Sequence, residues 1–146
     1  MANIRPLLDK DYNEWLTLWN DNNQGHSNDE VTKQTWSRLT SSNEQVFGLG
    51  AFEDDALVGL LHYILHPVTG HIKPVCYMQD LYVDETKRRK GIAKLLIADL
   101  AKRGQEQAWP RIYWLAEENN IAAQKLYKNL GLKLNFSLHV LPLQTS

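Results

Sequence analysis

The sequence holds a single cysteine, Cys76, among 146 residues. That excludes an intrachain disulfide framework and any multi-cysteine zinc site. Long apolar runs are also missing. The longest, Leu57–Leu65, is interrupted by His62, whereas a membrane-spanning helix needs about 20 apolar residues. Met1–Trp15 has no apolar stretch behind a basic head, so no secretory signal is visible. Together these absences predict a soluble, cytoplasmic protein with no membrane partner. There is little excess charge of either sign, since 16 Lys+Arg face 17 Asp+Glu. A general nucleic-acid coat would be clearly basic, so no nucleic-acid partner is expected.

What is present is globular. Hydrophobic residues make up 43%, charged residues 23% and aromatics 10%, ordinary values for a folded domain. The length suits one domain, residues 1–146, and is short for two. Charge is split along the chain. Residues 1–60 carry 4 basic and 10 acidic side chains, and residues 61–146 carry 12 and 7. Such a split can serve a cationic ligand at one end and an anionic one at the other.

Periodicity predicts a first amphipathic helix over 11–19, a loop over Asn20–Glu30 and a short second helix over 31–41. The period then changes. Val46–Phe52 and Leu57–Leu65 form a candidate hairpin, and Val75–Val83 a third strand. An amphipathic helix follows Gly91, with a strand over Ile112–Leu115. A further helix spans Ile121–Leu130 and ends at Gly131 in the usual left-handed C′ role. Alternation over 132–141 predicts a final strand. The expected class is mixed α/β, a central and mostly antiparallel sheet flanked by helices.

Chemistry concentrates where the third strand meets the next helix. Leu81-Tyr82-Val83 is followed by Arg88-Arg89-Lys90-Gly91-Ile92-Ala93-Lys94. The first N–H groups of a helix lack intrahelical acceptors and lie at the positive end of its dipole. Gly91 and the small Ala93 allow close approach, and the basic residues add charge, a combination suited to a pyrophosphate. A Walker loop and a dinucleotide fingerprint are both excluded by their missing glycine patterns. Cys76 has no partner motif and reads as a buried strand thiol. His62 and His66 are four apart in strand-like sequence, which argues against a metal site.

The segment Arg88-x-x-Gly91-x-Ala93 resembles the acyl-CoA-binding motif of the GNAT family of N-acetyltransferases. Asn120-x-x-Ala123-x-x-Leu126-Tyr127-x-x-Leu130-Gly131-Leu132 is similar to that family's second motif. The strand segments around Leu81 and Trp109–Trp114 also resemble the fungal histone and polyamine acetyltransferases and their bacterial relatives. The resemblance implies a direct attack of an amine on acetyl-CoA in a ternary complex, with no metal. It further implies that Leu81, Tyr82 and Val83 hold the pantetheine arm. Residues Arg88 to Lys94 would hold the pyrophosphate, Asn120 the cofactor arm, and Tyr127 would protonate the departing thiolate.

Some family members place a glutamate base on the strand that here offers Tyr77 and Gln79. Neither is an acid. Asp80 is nearby but should face the opposite side under strict alternation; Glu117 and Glu118, at the end of the following strand, are alternatives to it, as is a water chain. Asp21, Asp29 and Glu30, in or beside the first inter-helix loop, would favour a cationic acceptor such as a polyamine, an aminoglycoside or a protein lysine. The resemblance also implies a homo-oligomer, dimer or higher, associating through the C-terminal strand region. A catalytically silent acyl-CoA sensor and a small nucleic-acid module using Lys87–Lys90 are the rival readings.

Overall fold

In the computed structural model, which describes Ala2–Gln144, the described residues fall into two compact units, one through Leu115 and one from Ala116. The first unit is built on a five-stranded sheet with strand order following the chain: β1 (Asn3–Pro6), β2 (Val46–Glu53), β3 (Ala56–His66), β4 (Val75–Val83) and β5 (Ile112–Tyr113). Neighbours through β4 pair antiparallel, and β4 with β5 pairs parallel. This is the expected mixed, mostly antiparallel sheet. The edge strand β1 was not anticipated. It is only four residues long, too short for a legible alternation.

The hairpin β2–β3 turns at Asp54 and Asp55, both with positive φ (48° and 67°). That is the backbone a two-residue turn needs to match the strands' twist, and aspartate tolerates it better than most residues.

Helices α1 (Tyr12–Asn22) and α2 (Asp29–Thr40) pack one face of the sheet. Helix α1 runs three residues further than periodicity predicted. Helix α2 starts two residues earlier because Asn28 caps it, its Oδ1 accepting from the N–H groups of Glu30 and Val31. Trp15, Leu18, Leu39, Phe52, Leu57 and Leu60 form the core on this side. Arg5 on β1 grips Asp11 with two hydrogen bonds of 2.8 and 3.0 Å, and the Leu8 N–H donates to the same carboxylate at 2.7 Å. The guanidinium first, and the backbone donor after it, hold the Asp11 carboxyl below its ordinary range despite burial.

Helix α3 (Ile92–Gln107) covers the other face. A Cβ added at Gly59 on β3 would meet Ile92 and Leu96 of α3 at 3.2 and 3.3 Å. Gly104 lies inside α3, where a Cβ would press on the Trp109 ring at 2.9 Å. The glycine is therefore kept for packing rather than for ending the helix.

In the second unit, α4 spans Ile121–Lys128. Helix α4 ends at Lys128 with Asn129 as its C-cap, so Gly131 lies two residues past the cap, its N–H reaching the Tyr127 carbonyl at 3.2 Å, and the expected C′ position falls on Leu130. The predicted strand over 132–141 does not form either, since no strand pairing occurs there among the described residues. The alternating residues of this segment are exposed, Leu132 at 91% and Phe136 at 86%. An alternating pattern creates an amphipathic ribbon, but a ladder requires a neighbour with unpaired backbone groups.

Candidate active site

The site begins at a gap in the sheet. β4 pairs with β5 at two positions only, Cys76 opposite Ile112 and Tyr77 opposite Tyr113. From Met78 to Val83 no strand covers that edge of β4 among the described residues. Unpaired strand N–H and C=O groups on such an edge bind an extended amide chain readily. Leu81 and Tyr82 lie half-buried along this stretch. The Val83 carbonyl is already engaged, accepting from Arg88 Nε at 3.0 Å.

Immediately downstream, Asp84 caps a short 3-10 turn over Glu85–Lys87, and Arg88 folds back with its guanidinium 5.2 Å from the centre of the Tyr82 ring. Arg89 (φ 66°) and Gly91 (φ 78°) are both left-handed. Gly91 is the N-cap of α3, with no side chain capping the helix and no acid in its first turn. The helix N-terminus thus retains unanswered N–H groups, flanked by exposed Arg89, Lys90 and Lys94. Ile92 contributes only backbone here, because its side chain is buried in the core. A Cβ at Gly91 would meet nothing within 4 Å, so glycine answers to the backbone conformation and leaves the space above it open. Such a terminus fits a pyrophosphate.

The strand that carries the candidate base departs from the alternation rule. In the β3–β4 ladder Tyr63 faces Met78 and His62 faces Asp80, so Gln79 is an extra residue, a β-bulge. Directly opposed residues share a sheet face, and Ile64 opposes Tyr77. Tyr77 and Asp80 therefore lie on one face, the face of α1 and α2. The expectation that Asp80 points away is overturned, because the bulge advances the pleat by one.

On that face Asp80 Oδ2 lies 2.9 Å from His62 Nδ1, and Trp15 Nε1–H donates to His62 Nε2 at 3.0 Å. His62 is 2% exposed and Trp15 fully buried. The Trp15 ring stacks on Trp19 at 5.5 Å and leans on Trp36 at 4.8 Å, while Trp19 Nε1–H donates to Thr32 Oγ1. Sequence reading weighed His62 only as a metal ligand. The signal it missed was a lone polar residue inside an otherwise apolar strand. Among the described residues no group of His, Cys, Asp and Glu could hold a metal ion.

Two residues beyond Asp80 on the same face, Tyr82 lines an open cleft of about 330 Å³ that also takes in Asp21, Asp84 and Glu85. Asp29 and Glu30 do not line it. They occupy the first turn of α2, where acidic side chains complement the helix dipole. Of the three acids expected at an acceptor site, Asp21 alone is in this cleft, joined by two that sequence reading had not selected. Cys76 is fully buried, and burial pushes its thiol up to about 12, so it is no acyl carrier.

Three expected residues belong to the second unit. Asn120 caps α4, its Oδ1 accepting from the Ala123 N–H at 3.1 Å, which leaves the two amide N–H donors outside that bond. Burial raises the Tyr127 hydroxyl above its ordinary pKa, which keeps it protonated at neutral pH. Glu118 is exposed and lies 3.6 Å from Lys133, a solvent-screened pair.

A pair of parallel strands that parts after two pairings, an uncapped helix terminus beside it and a half-buried acid on the adjoining face suit a transferase whose donor carries an amide arm and a pyrophosphate. The match to known proteins agrees. The acetyltransferase (GNAT) family model covers residues 7–132, and the chain belongs to that family of N-acetyltransferases. The D-amino-acid N-acetyltransferase HPA3 of Saccharomyces cerevisiae is 31% identical over 142 residues, which span 93% of this chain and 88% of the relative. Among solved structures, the ribosomal-protein-alanine N-acetyltransferase of Brucella melitensis biovar Abortus 2308 superposes with a TM-score of 0.81 at 25% identity, covering 98% of this chain and all of the other. The aminoglycoside-type enzyme AAC(6')-Iy, solved with a CoA bisubstrate analogue, shares the fold at a TM-score of 0.84 and 19% identity, with 99% of each chain covered.

Proposed function

We propose that the protein transfers the acetyl group of acetyl-CoA to a primary amine on a cationic acceptor, a polyamine, an aminoglycoside or a protein lysine, by direct attack in a ternary complex. The observation that carries this reading is the acidic cleft of Asp21, Asp84 and Glu85 adjoining the face that bears Asp80. Acids there attract an ammonium, and the open β4 edge and the α3 terminus serve the donor. Asp80 takes a proton from the ammonium, the freed amine lone pair attacks the acetyl carbonyl carbon, and the carbon–sulfur bond breaks with its pair on sulfur. Tyr127 then protonates the thiolate, and the second nitrogen proton leaves to solvent as the neutral amide forms. Glu118 is the weaker base candidate because of its exposure.

A second reading follows from the yeast relative, whose name states a D-amino-acid acceptor. A D-amino acid brings a carboxylate that the acidic cleft opposes, so the two readings predict opposite charge preferences. A turnover screen with acetyl-CoA across polyamines, aminoglycosides, lysine peptides and D-amino acids separates them. Preference for a D-amino acid over every polycation would replace the cationic reading. Calorimetry with acetyl-CoA and with an oligonucleotide, run alongside, tests the silent sensor and the nucleic-acid module.

For the exposed alternating segment ending at Leu143 we propose a second copy of this chain as the partner, giving a dimer or higher oligomer. Its exposed apolar residues, Leu134, Phe136, Leu138 and Val140 among them, support an edge-pairing strand. Sedimentation of the full chain against a Phe136→Lys variant tests it, and a monomeric parent would overturn it.

A further inference from the structure

We infer that His62 is a positioning residue, locked by Trp15 as the neutral Nδ1–H tautomer, which orients Asp80 as a proton acceptor. The inference rests on Asp80 serving as the base, as proposed above. It starts from a property of one group. An indole N–H donates and never accepts. Trp15 Nε1–H points at His62 Nε2 from 3.0 Å, so Nε2 must offer its lone pair and carry no proton. The ring proton then resides on Nδ1, the atom 2.9 Å from Asp80 Oδ2, and donates to that oxygen. The contact is a neutral histidine serving a carboxylate, and not an ion pair.

The order of the chain matters. Protonating His62 on Nε2 would turn an acceptor into a donor facing another donor, inside a site that is 2% exposed. Burying two opposed donors costs the full desolvation of one of them. The Trp15 ring is itself held by its stacking on Trp19 and its contact with Trp36, so it does not swing away to relieve the clash. His62 therefore supplies one hydrogen bond to Asp80 and cannot take the proton that Asp80 accepts. It occupies Oδ2 and orients the carboxylate, leaving Oδ1 to receive the proton of the ammonium. The Asp80 side chain retains partial exposure, at 21%, while His62 is enclosed.

Two measurements on the full-length protein test the inference. Nitrogen-15 NMR of histidine-labelled protein reports the tautomer directly. A protonated Nδ1 and an unprotonated Nε2 for His62 at neutral pH are expected, and the reverse tautomer or a doubly protonated ring would overturn the inference. Steady-state kinetics use two variants. In His62→Gln the amide N–H can serve Asp80 while the amide oxygen accepts from Trp15, so kcat should stay within about threefold of the parent. His62→Leu keeps volume and deletes both bonds, and kcat should fall at least tenfold with KM for acetyl-CoA unchanged. Parental kcat in His62→Leu would overturn the inference, as would equal losses in both variants. If His62→Leu fails to fold, the NMR result and the Gln variant still decide. Asp80→Asn separates the two layers, because unchanged kcat in that variant refutes Asp80 as base whatever the His62 tautomer.

Discussion

Replacing Gly91 tests the donor site most cleanly, because the structure separates the cost of a side chain from the cost of its charge. Gly91 has φ 78°, and a Cβ built on it touches nothing within 4 Å. Any L residue there is strained by roughly 1–2 kcal/mol, with no steric term added. For a chain of this size each kcal/mol lowers Tm by about 2–4 °C, so Gly91→Ala and Gly91→Glu should both melt roughly 2–8 °C below the parent. Binding should then divide them. A carboxylate about 6–8 Å from one diphosphate charge costs roughly 2–3 kcal/mol at an effective dielectric of about 20, which is roughly 30- to 100-fold in Kd. Calorimetric titration with acetyl-CoA on both variants, below their melting range, gives the comparison. The Ala variant should bind within a few-fold of the parent and the Glu variant far more weakly. Equal Kd values for Ala and Glu would refute the assignment of a phosphate to the α3 terminus.

Tyr127→Phe should leave Tm nearly unchanged and lower kcat by up to about 10²–10⁴-fold if Tyr127 is the acid. Because burial raises this hydroxyl, its protonated form persists beyond the ordinary value near 10, so the loss of kcat with rising pH that it causes should fall above about pH 10 in the parent. Asp21→Asn should raise KM for a polyamine about fivefold, the equivalent of roughly 1 kcal/mol for a solvent-screened charge pair. KM for acetyl-CoA should hold, and added salt should mimic the variant. Asp11→Asn should cost about 1.5–3 kcal/mol by weakening a charge-assisted pair with Arg5. Since the folded Asp11 pKa is depressed, that contribution is fully present above about pH 4 and fades as pH falls through the folded value. Thermal melts of parent and variant should therefore converge in acid.

Much of this was legible in the sequence because it depends on local rules. The strand Val75–Val83 was read with its observed bounds, and the β2–β3 hairpin and α3 followed from period and turn chemistry. The turn into α3 was legible because Gly91 and its basic neighbours state an open, positively charged helix start in their own composition. What failed depended on partners far away in sequence. Whether 132–141 forms a ladder is decided by what pairs with it, and no alternation reveals that. The side chosen by Asp80 depends on one residue of slippage against β3, which no local count contains. His62 and Trp15 are 47 residues apart, and neither announces the other. The placing of the acids was hidden for a similar reason: Asp29 and Glu30 lie in the first turn of α2, while Asp84 and Glu85 join Asp21 at the cleft from the far end of β4.

The bulge at Gln79 makes the parity of β4 a heritable quantity. A strand is a two-state counter, and pairing Gln79 regularly with His62 in place of the bulge would invert every side chain beyond it, sending Asp80 toward α3 and Tyr82 out of the cleft. Deleting Gln79 would instead leave Met78 opposite Tyr63 and Asp80 opposite His62 in a regular ladder, with Asp80 still on the face of α1 and α2. Swapping Gln79 for another residue would move neither Asp80 nor Tyr82. In comparing this enzyme with others of its family, a base cannot therefore be transferred by matching columns along β4 alone. The column must be read against the residue opposite on β3, since two strands of equal length with the same acid at the same position present it to different chambers when one bulges before it and the other pairs regularly.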